Sequence, residues 1–229
     1  MSSVHLLALG WFVLTVVLYL GSKALYRNYR HWWLMPMLAV PVVLIACLLL
    51  SHQTFAVYFA DTRWLVWMLG PATVAFAVPI YEYRLLIRRH WLALSVGVGA
   101  GIFAAVTSSV LLARVLGLST ALQASLAPRS VSTPFAMAVA SQLGGSPDLT
   151  AVFVVLTGVF GMLAGELMLT FLPLRSRLAR GALFGASAHG AGTAKAMELG
   201  QEEGVVSSLV MMISGVATVF AAPLIAHLV

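Results

Sequence analysis

Residues 185–204 read Gly185-Ala-Ser-Ala-His189-Gly-Ala-Gly-Thr193-Ala-Lys195-Ala-Met-Glu198-Leu-Gly-Gln-Glu202-Glu203-Gly204. Small residues, an imidazole, an ammonium and a carboxylate stand between two strongly apolar runs. Of the 229 residues 61% are hydrophobic and 9% charged, with mean hydropathy +1.00, more apolar surface than a soluble core of this size uses. Apolar runs of 18 or more residues reach across hydrocarbon as helix, and the alternation of a membrane barrel is absent. The chain is therefore an all-α polytopic membrane protein, and the stretch is either a surface loop or irregular backbone at membrane depth. Such backbone is tolerated only where protein or a water-filled cavity surrounds it.

Clean spanning candidates are 4–25, 33–51, 91–113, 149–172 and 205–228. Three further segments are interrupted: 64–81 by Pro71 and Pro79, 121–145 by Pro128 and Pro134, and 178–200 by Gly190 and Gly192. Proline removes a backbone donor and clashes with the turn before it, so broken helices are expected. Loops 23–31, 82–90 and 174–180 hold nine of the 13 Lys and Arg residues, which predicts that they are cytoplasmic. Loop 198–204 carries Glu198, Glu202 and Glu203 without a base and is expected outside. Alternation then requires 121–145 to enter and return on one face. The expectation is about seven net crossings plus a re-entrant hairpin, N-terminus outside and C-terminus cytoplasmic. A single membrane domain, 1–229, would divide into two inverted repeats with broken helices, about 1–115 and 116–229. The net charge of +6 sits in these loops and reads as topology, not nucleic-acid binding. Cys47 has no partner for a disulfide and reads as a small buried hydrophobe.

Thr133 before Pro134 reads as a hydroxyl cap followed by proline at the first helical position. The free N–H groups of that helix would face Ser130 and Thr133 with Arg129 beside them. This arrangement suits an anion; the other reading is an interfacial arginine above an ordinary turn. His189 inside a membrane helix reads as a proton-handling or substrate-orienting group, or as a packed residue bonded to a carbonyl. Lys195 and Glu198 are spaced to pair, and Thr193 offers a hydroxyl. Thr73, between Pro71 and Pro79, is the first-half counterpart. Glu166 lies two-thirds along 149–172, where a carboxylate needs a partner. His189, Glu198 and Glu166 are the proton-coupling candidates. No enzyme motif, metal-ligand spacing or cofactor signature emerges, so neither catalysis nor a cofactor is expected.

These same residues resemble the LrgB/CidB membrane protein family, which includes bacterial antiholin-like proteins and is related to the plastid glycolate/glycerate translocator. The motifs are Pro71 to Tyr81, Pro128-Arg-Ser-Val-Ser-Thr-Pro-Phe-Ala-Met137, Gly144 to Val152, and Ala179 to Gly204. The chain departs from the family pattern with Arg129 for lysine, Lys195 for arginine, Ala188 for serine and Met35 for asparagine. The resemblance implies transport of a small organic monocarboxylate, of the glycolate, glycerate or pyruvate class, across the bacterial inner membrane. Its other implication is control of murein hydrolase export and lysis alongside a small LrgA/CidA-like membrane partner. A homo-oligomer is a further candidate assembly. On the first reading Arg129, Ser130, Thr133, Thr73, His189, Thr193 and Lys195 bind the anion.

Overall fold

The computed structural model describes residues 3–229, which divide between Val74 and Ala75 into two compact units. Every regular element among the described residues is helical. Five segments are long and apolar enough to span a membrane: Leu9–Tyr29, Thr62–Glu82, Trp91–Val115, Pro147–Phe171 and Gln201–Ala226. This is an all-α polytopic membrane protein.

In the first unit, α1 (Ser3–Tyr29) packs against α2 (Pro36–Leu50) and α3 (Phe55–Trp67). Trp11, Val40 and Leu44 are buried at its core, with Tyr58 edge-on to Trp11. Most of α1 and α2 is otherwise exposed and apolar, as lipid-facing helices are. The chain continues through α4 (Leu69–Ala75), α5 (Ala77–Glu82) and α6 (Arg84–Arg89). The expected breaks appear as turns at Met68 and Phe76, each three residues before a proline, Pro71 or Pro79. Each proline lacks the N–H that would bond across that turn.

The second unit has three long helices: α7 (Trp91–Val115), α10 (Pro147–Phe171) and α12 (Gln201–Ala226). Between α7 and α10 the chain runs through α8 (Thr120–Leu126), an irregular turn, and α9 (Thr133–Gln142). It doubles back, as expected for 121–145. The Ser125 hydroxyl accepts from Ser146 N at 2.8 Å, and Thr150 Oγ1 donates to Ser125 O at 3.0 Å. Two glycines close this base. Gly144 takes φ +80°, and a side chain on Gly145 would lie 2.7 Å from Ser125 N. The helix cap falls on Ser132, one residue before the expected Thr133, with Pro134 in the first turn.

Segment 178–200 was expected to cross, and it does not. Here α11 (Arg177–Leu199) contains a sharp reversal at His189, with φ 42° and ψ −118°. The break therefore lies at His189, not at the glycines after it. Gly192 serves the reversal differently. A Cβ there would meet Phe184 O and lie 2.7 Å from Ala188 Cβ, although a straight helix would hold residues 184 and 192 ~12 Å apart. Residues 177–188 lead in, and 190–199 lead back. Arg177 Nη1 pairs with Glu202 Oε2 at 2.9 Å, so the acidic end 198–204 shares the face of the basic loop 174–180. The expected outside position of 198–204, opposite those bases, is corrected. Arginine finds a carboxylate across the hairpin base, a pairing that loop-charge counting treats as separation.

The last helix then ends on the other face. Arg114, at the end of α7, donates to Leu228 O, and Val106 and Val110 pack with Ile225. The C-terminus lies with Arg114, opposite the basic loop 174–180, and not on its side as expected. This part of the chain makes one crossing fewer than anticipated. With cysteines at 177 and 202 in a Cys47→Ala background, a short bifunctional thiol reagent is expected to cross-link most of the protein, as mass spectrometry would read. Residues on opposite faces, ~30 Å apart, would give no cross-link.

The order hairpin, long helix, hairpin, long helix thus recurs: α8–α9 with α10, then the two arms of α11 with α12. The first hairpin has its base at the start of α10, the second at its end. They enter from opposite ends.

Candidate functional site

The two hairpin tips meet halfway along the spanning helices. From the first tip, Arg129 Nε donates to Ser109 Oγ of α7 at 2.8 Å, and Nη1 donates to Thr157 Oγ1 of α10 at 3.2 Å. Phe135, at the start of α9, lies against Gly215 of α12. From the second tip, the His189 ring comes close to the backbone of Ser130 and to Arg129. His189 Nδ1 also faces Gly158 of α10. Arg129, Ser130 and His189 are thereby one cluster, built from two irregular turns and the centre of α10.

Several groups in this cluster are unspent. His189 is 2% exposed, and its Nε2 has no partner among the described residues. Ser132 caps α9 without a capping bond, and its buried Oγ is likewise unpartnered. The first-turn N–H groups of α9 are left without side-chain acceptors. Buried polar groups are nearly always satisfied, so two unsatisfied ones, one on each hairpin tip, suit a polar guest. Arg129 has no carboxylate partner among the described ion pairs. It is the positive charge at the tips.

Lys195 stands elsewhere. It lies six residues past the tip on the returning arm, with Nζ 2.8 Å from Glu166 and 3.5 Å from Glu198. Two carboxylates compensate its charge and tie the hairpin to α10. Glu166 and Glu198, expected as proton carriers, are held in this ion pair. Thr193 faces α12, its Oγ1 3.0 Å from Ser207 Oγ. Thr133 sits in the first turn of α9, half-buried. Thr73, in the first unit, donates to Leu69 O of its own helix at 2.6 Å. Glu203, expected as loop charge, is buried against Gly200. No group of metal-ligating side chains occurs among the described residues.

Because Glu166 is half-exposed, the Lys195 pair should contribute modestly. Lys195→Met is expected to lower the thermal midpoint in detergent. Adding Glu166→Gln should recover part of that loss, with a coupling of about 0.5–1 kcal/mol. Strictly additive losses would show that no tie exists.

Reading from sequence missed Ser109, Thr157 and Ser132. The signal was present for the first two, since each is a hydroxyl inside a long apolar run, where polar groups need a reason. What was lacking was the pairing that brings α7 and α10 to Arg129.

The sequence model of the LrgB-like family matches residues 15–228. The chain belongs to the LrgB-like family. It is 41% identical over 210 residues to the uncharacterized protein YwbG of Bacillus subtilis, covering 92% of this chain and 93% of that one. Similarity extends to the antiholin-like protein LrgB of Bacillus subtilis, 30% identical over 206 residues, with 90% and 89% of the two chains covered. The holin-like protein CidB of Staphylococcus aureus is 31% identical over 209 residues, 91% of each chain. No solved structure matches the chain. The motif resemblance is borne out, and the protein is a membrane protein of the holin/antiholin-like family.

Proposed function

We propose that this LrgB-family protein carries small organic monocarboxylates, of the glycolate, glycerate or pyruvate class, across the bacterial inner membrane. The observation that supports this is the meeting of two opposed hairpin tips at Arg129, each tip carrying a buried unpartnered group, Ser132 Oγ on the first and His189 Nε2 on the second. A carboxylate there would take the guanidinium in charge-assisted bonds, with the N–H groups of α9 and the imidazole completing its shell. Hairpins entering from opposite ends also suit alternating access. Each face has its own movable arm over a central site, as in transporters built from inverted repeats. On this reading the basic loops are cytoplasmic and the C-terminus is outside. His189 is the residue best placed to handle a coupling proton.

A second reading rests on the relatives' names, holin-like and antiholin-like. On it the chain regulates murein hydrolase export and lysis together with a small LrgA/CidA-like membrane protein. Proteoliposomes containing this chain alone separate the two. Saturable uptake of labelled pyruvate or glycolate is expected for the carrier. Absence of uptake for every short acid tried would favour the regulatory role.

A further inference from the structure

Arg129 anchors one end of the site, and an open groove runs from it, with Phe160 67% exposed on its wall. This space, of about 570 Å³, lies between α7, α10 and the inward arm 177–188. Its apolar walls include Gly101, Ala104, Ala105, Phe160, Ala164 and Leu183. The polar groups that line it are few, and each hydroxyl but that of Ser130 already makes one hydrogen bond. Ser108 donates to Ala105 O, Ser187 donates to Leu183 O, and Thr157 accepts from Arg129. Ser130, next to the guanidinium, remains. A second carboxylate would need a second cation, and Lys195 is already paired twice.

We infer that the site selects monocarboxylates whose body beyond the second carbon is aliphatic, and disfavours a hydroxyl or second carboxylate there. This rests on Arg129 being the carboxylate anchor. With the carboxylate on Arg129, an oxygen on the second carbon falls within the neighbourhood of Ser130. Further out the wall is mostly methyl, methylene and ring carbon, and the Ser108 and Ser187 hydroxyls spend their hydrogens within their own helices. A hydroxyl placed there finds few replacement bonds for those it made to water, while an apolar tail gains from the same wall. The groove is open and large against the ~30 Å³ that one water occupies in the liquid, so branched tails longer than that of pyruvate fit.

Binding to the purified full-length protein in lipid nanodiscs, followed by isothermal titration calorimetry, tests this without requiring transport. Lactate and glycerate differ by one terminal hydroxyl, and lactate is expected to bind roughly 10- to 100-fold more tightly. 2-Oxoisovalerate should bind at least as well as pyruvate. Ala104→Leu, which fills the apolar wall, should weaken 2-oxoisovalerate more than pyruvate. Glycerate binding as tightly as lactate, a branched acid weaker than pyruvate, or no binding of any of the four would overturn the inference. Binding in the expected order with no uptake in proteoliposomes would remove the carrier reading and leave the selectivity standing.

Discussion

Arg129→Ala is expected to reduce saturable uptake of a short monocarboxylate in proteoliposomes by ~100-fold or more. Removing one member of a buried, hydrogen-bonded charge pair typically costs about 2–5 kcal/mol, because the other charge is left without compensation. Here the guest carboxylate would be that other charge, and Lys195 cannot replace the lost cation while Glu166 and Glu198 hold it. Arg129→Lys should keep part of the activity. It preserves the charge but loses the fork that bonds Ser109 and Thr157 at once. Two controls separate recognition from folding. The alanine variant should keep a monodisperse elution profile in detergent, and Arg175→Ala, in the loop at the second hairpin's base, should transport normally. Full activity in Arg129→Ala would remove the guanidinium from the site.

The second large effect concerns packing. A Cβ built on Gly185 would strike Ser207 O and stand 3.0 Å from both Ser207 C and Cα. Backbone meets backbone there, so neither side can yield by changing rotamer. Gly185→Val is expected to push the inward arm off α12 and destabilise the protein by about 3 kcal/mol. In a chain of this size that lowers the thermal midpoint by about 6–12 °C. Gly97→Val is the matched control, since nothing lies within 4 Å of the added carbon. Its midpoint should stay near that of the parent protein. Equal effects at 97 and 185 would mean that the close approach of the second hairpin to α12 is absent.

Local chemistry was legible in the sequence; partners across the fold were not. Pro128 and Pro134 marked the break in the first hairpin because proline disrupts a helix wherever it lies, and the alternation of basic loops required that segment to turn back. That Gly144 serves the turn at its base and Gly145 the close contact with Ser125 emerged only from the fold. The second hairpin was hidden. Nothing in Ala188-His189-Gly190 demands a reversal; tertiary packing holds His189 in a left-handed conformation that costs a non-glycine residue on the order of 1–3 kcal/mol. Without that reversal, three acids at 198–203 read as a loop on the far face. The same blindness affected the cations. Arg129 and Lys195 look equivalent in the sequence, each beside a break with a hydroxyl nearby. Only contacts with Ser109 and Thr157 on one side, and with Glu166 on the other, separate a charge offered to a guest from a charge already neutralised.

The central claim is that the opposed tips enclose a site for a short carboxylate. Ser130→Cys in a Cys47→Ala background puts a single thiol at their meeting point, and its rate of alkylation by a small neutral reagent can be followed by mass spectrometry. The account predicts that pyruvate slows this reaction in a saturable manner, and that the protection disappears when Arg129→Gln is added. A rate unchanged by any short monocarboxylate, in protein shown to be folded, would contradict it.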